Sequence, residues 1–293
     1  MAALVGGLAL SLHLFIREKA ARQRAVAAEM EQFRLRQQAE RDAEIGLKLG
    51  QAGMLLTRNQ FDEAERLISD VPPHASMVPF FSVFGRIHGR RGHWQAAKAN
   101  YSHAVQFLPS DHDGYHYLAP VFLQVGDVEG YQQHRQRMLR QFSDTSDPVI
   151  AERIAKDCLI LPPATSDLAA ISKMAKTAIA ANPASGYFEF VQGFAEYRQG
   201  QWAAAADLMQ QVVSKAGDRY RTGEAFMVLA MAQYQLHQME EARATLAKGV
   251  ELVETSLPSL EKNTLDEQWN DWIIVQLLMR ESQALIQPGN ETK

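Results

Sequence analysis

The chain has 293 residues, 46% of them hydrophobic, with 34 acidic against 30 basic side chains and a formal charge of −4. That length and apolar share can support a sizeable core, and the near-neutral balance excludes a strongly basic protein built to coat nucleic acid, so no nucleic-acid partner is expected. A single cysteine, Cys158, excludes an intramolecular disulfide framework and any cysteine-rich zinc site.

Met1 to Ile16 (MAALVGGLALSLHLFI) carries no formal charge, and the sequence then turns basic at Arg17, Lys19, Arg22 and Arg24. A helical membrane span needs about 20 apolar residues, so this run is marginal. Residues 1–16 are expected to form a membrane-anchor segment, truncated at its start, with the basic cluster stopping transfer. A secretory signal fits less well, because it lacks a positive leading region and a clear small-residue cleavage site. A buried start is the third reading. The basic flank by itself favours a cytoplasmic carboxyl side. Residues 17–44, rich in Ala, Gln, Arg and Glu and free of Pro and Gly, predict a charged helical stalk. Val26, Met30 and Phe33 follow an i, i+4, i+7 pattern that lapses at Gln37 and Glu40, too short for three or four sustained heptads. Weak dimerisation through the stalk is left open.

From residue 45 a repeat emerges. Phe61-Asp62-Glu63-Ala64, Trp94-Gln95-Ala96-Ala97, Trp202-Ala203-Ala204-Ala205 and Met239-Glu240-Glu241-Ala242 each open a helix on a large apolar residue, with Ala three positions on. Twelve residues before each of those alanines stands a small residue, Ala52, Gly85, Gly193 or Ala230. Small side chains at both sites let two antiparallel helices approach closely. Ala64 and Ala97 are 33 apart, and Ala205 and Ala242 are 37 apart. Between these units the pattern weakens: Gly130 keeps the spacing, Leu118 replaces the small residue, and Leu161-Pro162-Pro163 breaks the chain. There is room for two hairpins there. The spacing resembles the tetratricopeptide repeat, a helix–turn–helix unit of about 34 residues. Alternating strand patterns are short and hairpin dipeptides such as Asn-Gly are absent. The expected fold is therefore all-α: an α-solenoid of about six hairpins over 45–254, preceded by a long N-terminal helix. A linker and capping helix follow over 255–287, with Trp269 and Trp272 sealing the last hairpin, and then a loose tail over 288–293.

Chemical motifs are sparse. The sequence holds no nucleophile elbow, phosphate loop or His-Glu-x-x-His motif, and no catalytic, cofactor-binding or metal-binding residue is assigned. Gly85, Gly89 and Gly92 read as close helix packing followed by a turn. His112 and His116, with Asp111 and Asp113 beside them, read as a capped helix start rather than a metal site. Cys158 reads as a small buried side chain, and Trp94 and Trp202, which recur at one place in the repeat, as core. The expected working surface is the concave face built by the first helix of each hairpin. Residues at i, i+4 on those helices are Arg86 and Arg90, Phe194 and Arg198, and Met231 and Gln235. The arginines suit the carboxylates of a protein or peptide segment.

Longer phrases carry a second resemblance. Arg17–Ala43, Leu118–Tyr131 (LAPVFLQVGDVEGY), Asp147–Leu161 (DPVIAERIAKDCLIL) and Trp269–Ile286 (WNDWIIVQLLMRESQALI) are similar to the carboxyl-terminal half of bacterial transmembrane serine/threonine protein kinases. There a kinase domain precedes one membrane span, a charged helix and tetratricopeptide repeats. The resemblance implies a single-pass protein of the bacterial inner membrane whose repeats lie outside the cytoplasm, against the reading of the arginine cluster, so the side is undecided. It carries over no enzyme: the Gly-rich loop, strand lysine, catalytic Asp and Asp-Phe-Gly of a kinase are absent from this chain. The leading expectation is a non-catalytic interaction module tethered to a membrane. The alternative is a part of a kinase whose catalytic domain lies upstream.

Overall fold

The computed structural model describes residues 2–215, 217–261 and 264–287, with side chains from 13 to 15 and from 17 onward. The expected tail over 288–293 lies outside the described residues, as do Met1 and most side chains of the expected anchor. Every element among the described residues is helical. The chain divides into two compact units, Met1–Pro72 and Pro73–Lys293.

The first unit is a long helix, α1 (Ala2–Thr57), and a short one, α2 (Phe61–Ile68). They form an antiparallel hairpin through small side chains: Ala52 and Ala64, both predicted contact positions, are fully buried. Asn59 turns the chain between them with φ of 58°. Upstream of this hairpin α1 is exposed at every position from 21 to 44. Among the described residues no helix is long and apolar enough to cross a membrane. The expected single-pass placement is therefore corrected. The physical reason is that the apolar run is too short and opens into Arg17, Glu18 and Lys19 along the same helix.

The second unit begins with a single 3-10 turn (Ala75–Met77) and stacks five hairpins. These are α3 (Val78–Arg90) with α4 (Trp94–Phe107), α5 (His112–Gln124) with α6 (Val128–Phe142), and α7 (Pro148–Leu159) with α8 (Thr165–Ala181). Then come α9 (Gly186–Arg198) with α10 (Trp202–Ser214) and α11 (Arg219–Gln235) with α12 (Met239–Ser256). The predicted small-residue contacts hold the pairs together. A Cβ on Gly85 would lie 2.6 Å from the Tyr101 ring, and one on Gly193 would lie 2.7 Å from Met209. Ala97, Ala205, Ala230 and Ala242 are all fully buried. Where the sequence pattern weakened, between 151 and 183, α7 and α8 form the hairpin joined across Pro162 and Pro163.

Aspartates start four of these helices. Asp111, Asp127, Asp147 and Asp218 each accept a hydrogen bond from a backbone N–H of the first turn, satisfying donors that have no carbonyl of their own helix to bond. The core runs continuously from Ala97 to Ile286, with Tyr131, Phe190, Phe194 and Trp269 among its largest fully buried side chains.

His134, on α6, shows what burial does to a base in this core. Its Nε2–H donates to the Tyr115 carbonyl at 3.0 Å and its ring stacks on Tyr115. Burial lowers its pKa to about 4, with the nearby Arg137 acting in the same direction. The folded chain thus binds fewer protons here than the unfolded one. This contribution to stability is present above pH about 6.5 and is lost as pH falls towards 4. His134→Gln, which keeps a donor, should make unfolding free energy less sensitive to acid by about 2 kcal/mol between pH 7 and 5, as read by urea titrations at both values. An unchanged slope would show that this ring does not stay neutral.

Candidate functional site: a groove filled by its own helix

The last helix, α13 (Trp269–Ile286), covers the final hairpin by packing on α11 and α12, and it also packs on α5 and α3 at the other end of the array. Polar contacts join it to α7 and α9 as well. All five first helices of the second unit thus meet α13. Trp269, Ile273, Ile274, Val275, Leu278 and Ser282 are fully buried. Each of the larger apolar side chains contributes roughly 1.5–3 kcal/mol by leaving water.

The two tryptophans of α13 do more than seal the last hairpin. The Trp269 ring lies against Gly89 on α3, where a Cβ would stand only 2.5 Å away. It also packs on Tyr101 and Tyr117, at ring centroid distances of 6.0 and 5.6 Å, and those two rings stack on each other at 5.3 Å. Trp272 stacks on Trp94 at 6.3 Å and donates its indole N–H to the Pro258 carbonyl at 2.9 Å. Gly89 therefore belongs to the groove, whereas Gly85 belongs to the hairpin. Trp94 is half-buried by this stack, but Trp202, expected in the core, is 37% exposed. Its hairpin has no such tryptophan pair packed over it.

Below this aromatic cluster lies a buried charged seam. Lys156 Nζ is 2.8 Å from Asp271 Oδ1 and 3.9 Å from Glu152. Burial alone would lower the lysine's pKa, but Asp271, Glu224, Glu152 and Asp157 outweigh it and hold Lys156 charged. The carboxyls suffer the converse. Burial pushes Glu152 up to about 7 and raises Asp157 and Glu224, with Lys156 opposing the shift in all three. One oxygen of each accepts no hydrogen bond. His116 donates from Nδ1 to Asp157 at 2.9 Å and accepts at Nε2 from Asn270 of α13, also at 2.9 Å. Burial, then the nearby Lys156 charge, lower its pKa to about 3, so the ring joins this chain of bonds uncharged. His112 turns the other way, to Arg153 at 3.1 Å. The two histidines share no ligand set. Cys158 is fully buried, and burial raises its thiol.

Five of the six residues assigned to the concave face fall into two groups, and Gln235 stands apart. Phe194 and Met231 lie fully inside the core. The arginines hold carboxylates of the same chain. Arg90 donates through Nε to the Leu265 carbonyl at 3.0 Å and through Nη1 to Glu267 at 2.6 Å, with Arg86 3.7 Å from the same carboxylate. Leu265 N–H returns a bond to the Arg90 carbonyl at 2.7 Å. Arg198 forks onto both oxygens of Glu281, donates to the Leu159 and Ile160 carbonyls at 3.0 Å each, and lies 5.0 Å over the Phe194 ring. Gln235 is half-buried at the end of α11. Sequence reasoning missed Lys156 and Asn270, and it read His116 only as part of a capped helix start. An isolated lysine, histidine or asparagine on a helix carries no periodic signal, and their partners lie 115 and 154 residues away.

The segment ahead of α13 is fixed as well. Asp266 accepts from Arg219 at 2.7 Å and from the Tyr220 hydroxyl at 2.8 Å, and Gln268 donates to the α11 cap Asp218. As drawn by these contacts, the groove reads a helix through an aromatic end, apolar sides and cations placed for carboxylates.

No family model matches the chain, and no curated protein matches it. Solved structures do. A tetratricopeptide repeat protein from Parabacteroides merdae is 12% identical, covering 84% of this chain and 94% of its own, with a TM-score of 0.50. A structure described as PilF of Pseudomonas aeruginosa is 14% identical, over 83% of this chain and 96% of its own, with a TM-score of 0.42. A thermophilic tetratricopeptide repeat protein of Thermus thermophilus is 18% identical, over 56% and 86%, with a TM-score of 0.41. None of the three is described as a kinase, and the kinase resemblance gains no support from them. Helical hairpins joined through small residues at a spacing near 34, and the match to the first of these structures, give the chain the fold of a tetratricopeptide-repeat solenoid.

Proposed function

We propose that this chain is a non-catalytic protein–protein interaction scaffold whose concave face recognises an amphipathic helix bearing carboxylates. One observation supports the reading: the face already holds such a helix, with Arg198 on Glu281 and Lys156 on Asp271, and with Arg90 on Glu267 just ahead of it. This is the helix-in-groove mode, in which apolar anchors provide affinity and charged pairs fix register. α13 is the resident ligand, and a partner helix of the same chemistry is its competitor.

The reading is tested by separating groove from occupant. A chain ending at 264 is mixed with a labelled synthetic peptide of residues 265–287. Expected are saturable binding and a peptide-dependent gain in helicity and thermal stability, with binding to the full chain weakened by competition from its own α13. A peptide carrying Asp271→Lys and Glu281→Lys should bind at least about tenfold more weakly, because two desolvated pairs become repulsive. Absence of binding to the shortened chain, or equal binding of both peptides, would remove the helix-recognition reading.

A further inference from the structure

The exposed half of α1 bears a stripe that the chain itself leaves uncovered. Val26, Met30 and Phe33 are 50%, 68% and 63% exposed, and they lie on one side of the helix at i, i+4 and i+7. Single exposed apolar side chains are ordinary, but three on one stripe of a helix exposed from 21 to 44 are a contact surface. With Met30 and Phe33 as neighbouring core positions, the heptad places Lys19, Gln23, Gln37, Glu40 and Glu44 on the same stripe.

We propose that the occupant of this stripe is a second copy of α1, running antiparallel about a twofold axis between Met30 and Phe33. Charge decides the direction. In a parallel pair in register, Lys19 meets Lys19, Glu40 meets Glu40 and Glu44 meets Glu44, so three of the layers are repulsive. In the antiparallel pair each core position meets one of the other type. Met30 packs on Phe33 of the second copy, Val26 on Gln37, Gln23 on Glu40, and Lys19 pairs with Glu44. On the flank, Glu29 faces Arg36 of the second copy. The lapse of the apolar pattern at Glu40 and Glu44 then supplies the acidic ends that receive Gln23 and Lys19. Within its own copy Glu44 has only an exposed pair with Lys48, whose closer partner is Asp70, so it can turn to the second copy at little cost. The apolar centre is six side chains in all, so the pair is a weak, salt-sensitive dimer. This inference is independent of the groove reading, since it uses neither the solenoid nor α13.

The test uses the full chain. Light scattering after gel filtration, at high micromolar concentration and low salt, should give the mass of a dimer. Met30→Asp with Phe33→Asp should give a monomer with unchanged circular dichroism, the intact solenoid reporting that the fold survives. Glu44→Lys should weaken association roughly tenfold through two repulsive pairs, and Lys19→Glu in the same chain should restore it. Under mild oxidation, a mixture of Lys19→Cys and Glu44→Cys chains should cross-link to each other and not to themselves. A wild-type monomer at these concentrations, a dimer that survives the two aspartates, or Lys19→Cys chains that cross-link to themselves would each overturn the proposal.

Discussion

Arg198→Ala should destabilise the second unit by about 3 kcal/mol, the largest loss expected from a single charge. The arginine side chain is 4% exposed, and its fork carries three interactions at once: Glu281 of α13 and the last carbonyls of α7 at Leu159 and Ile160. Those carbonyls end a helix and have no donor of their own, so truncation leaves them and the carboxylate without partners. Glu281 is still 29% exposed and regains some water, which keeps the loss nearer the lower end for a broken buried pair. Arg198→Lys should recover less than half of it, because an ammonium cannot bond a carboxylate in two places and reach two carbonyls. Glu281→Gln should cost less than Arg198→Ala, since the carbonyl bonds remain. Urea unfolding of the three variants reads the order. If Arg198→Ala and Glu281→Gln cost the same, the carbonyls are not held by this arginine.

Gly89→Ala should be destabilising by about 2–3 kcal/mol, although alanine is the better helix former by about 1 kcal/mol. The reason lies across the groove. The new methyl would stand 2.5 Å from the Trp269 ring, which is fully buried and packed against the rings of Tyr101, Tyr117 and Trp94, so it has little room to move aside. The diagnostic result is a change of sign. In a Trp269→Leu background, itself costly through the cavity it opens, the same Gly89→Ala change should become neutral or stabilising. Thermal unfolding of the four chains gives the coupling. Additive effects would mean that α13 does not seat its tryptophan on α3 in solution.

The hairpins were legible because they are local. Ala64, Ala97, Ala205 and Ala242, with the small residues twelve positions earlier, mark places where two helices adjacent in sequence must touch, and the fold buries all of them. The weakened stretch before Pro183 was legible only as a length, since α7 and α8 meet around Pro162 and Pro163 without the aromatic-and-alanine signature. The groove's occupant was a different kind of problem. Periodicity identified Arg86, Arg90 and Arg198 as residues able to bind carboxylates, but not whose carboxylates they bind. Glu267 and Glu281 lie 177 and 83 residues away from their arginines and on no shared repeat. Phe194 and Met231 were assigned to the open face because a helix wheel gives angle and not depth: with α13 present, that face has become interior. At the other end, a run of sixteen uncharged residues suggested a membrane, but the helix it opens carries its charges too early for any described span.

A stack in which each hairpin touches only its neighbours unzips from either end, one unit at a time, with a stability that is a sum of local terms. Here the final helix packs on the first helix of the second unit as well as on the last hairpin, and the segment ahead of it hydrogen-bonds to Arg90 of that first helix, closing the series into a loop. An end can no longer fray without breaking the strap, and the strap cannot leave without exposing every hairpin it crosses. The array should therefore melt as one body, and its assembly must wait until α13 has been made, so that a solenoid otherwise suited to folding hairpin by hairpin during synthesis is complete only once residue 286 is in place.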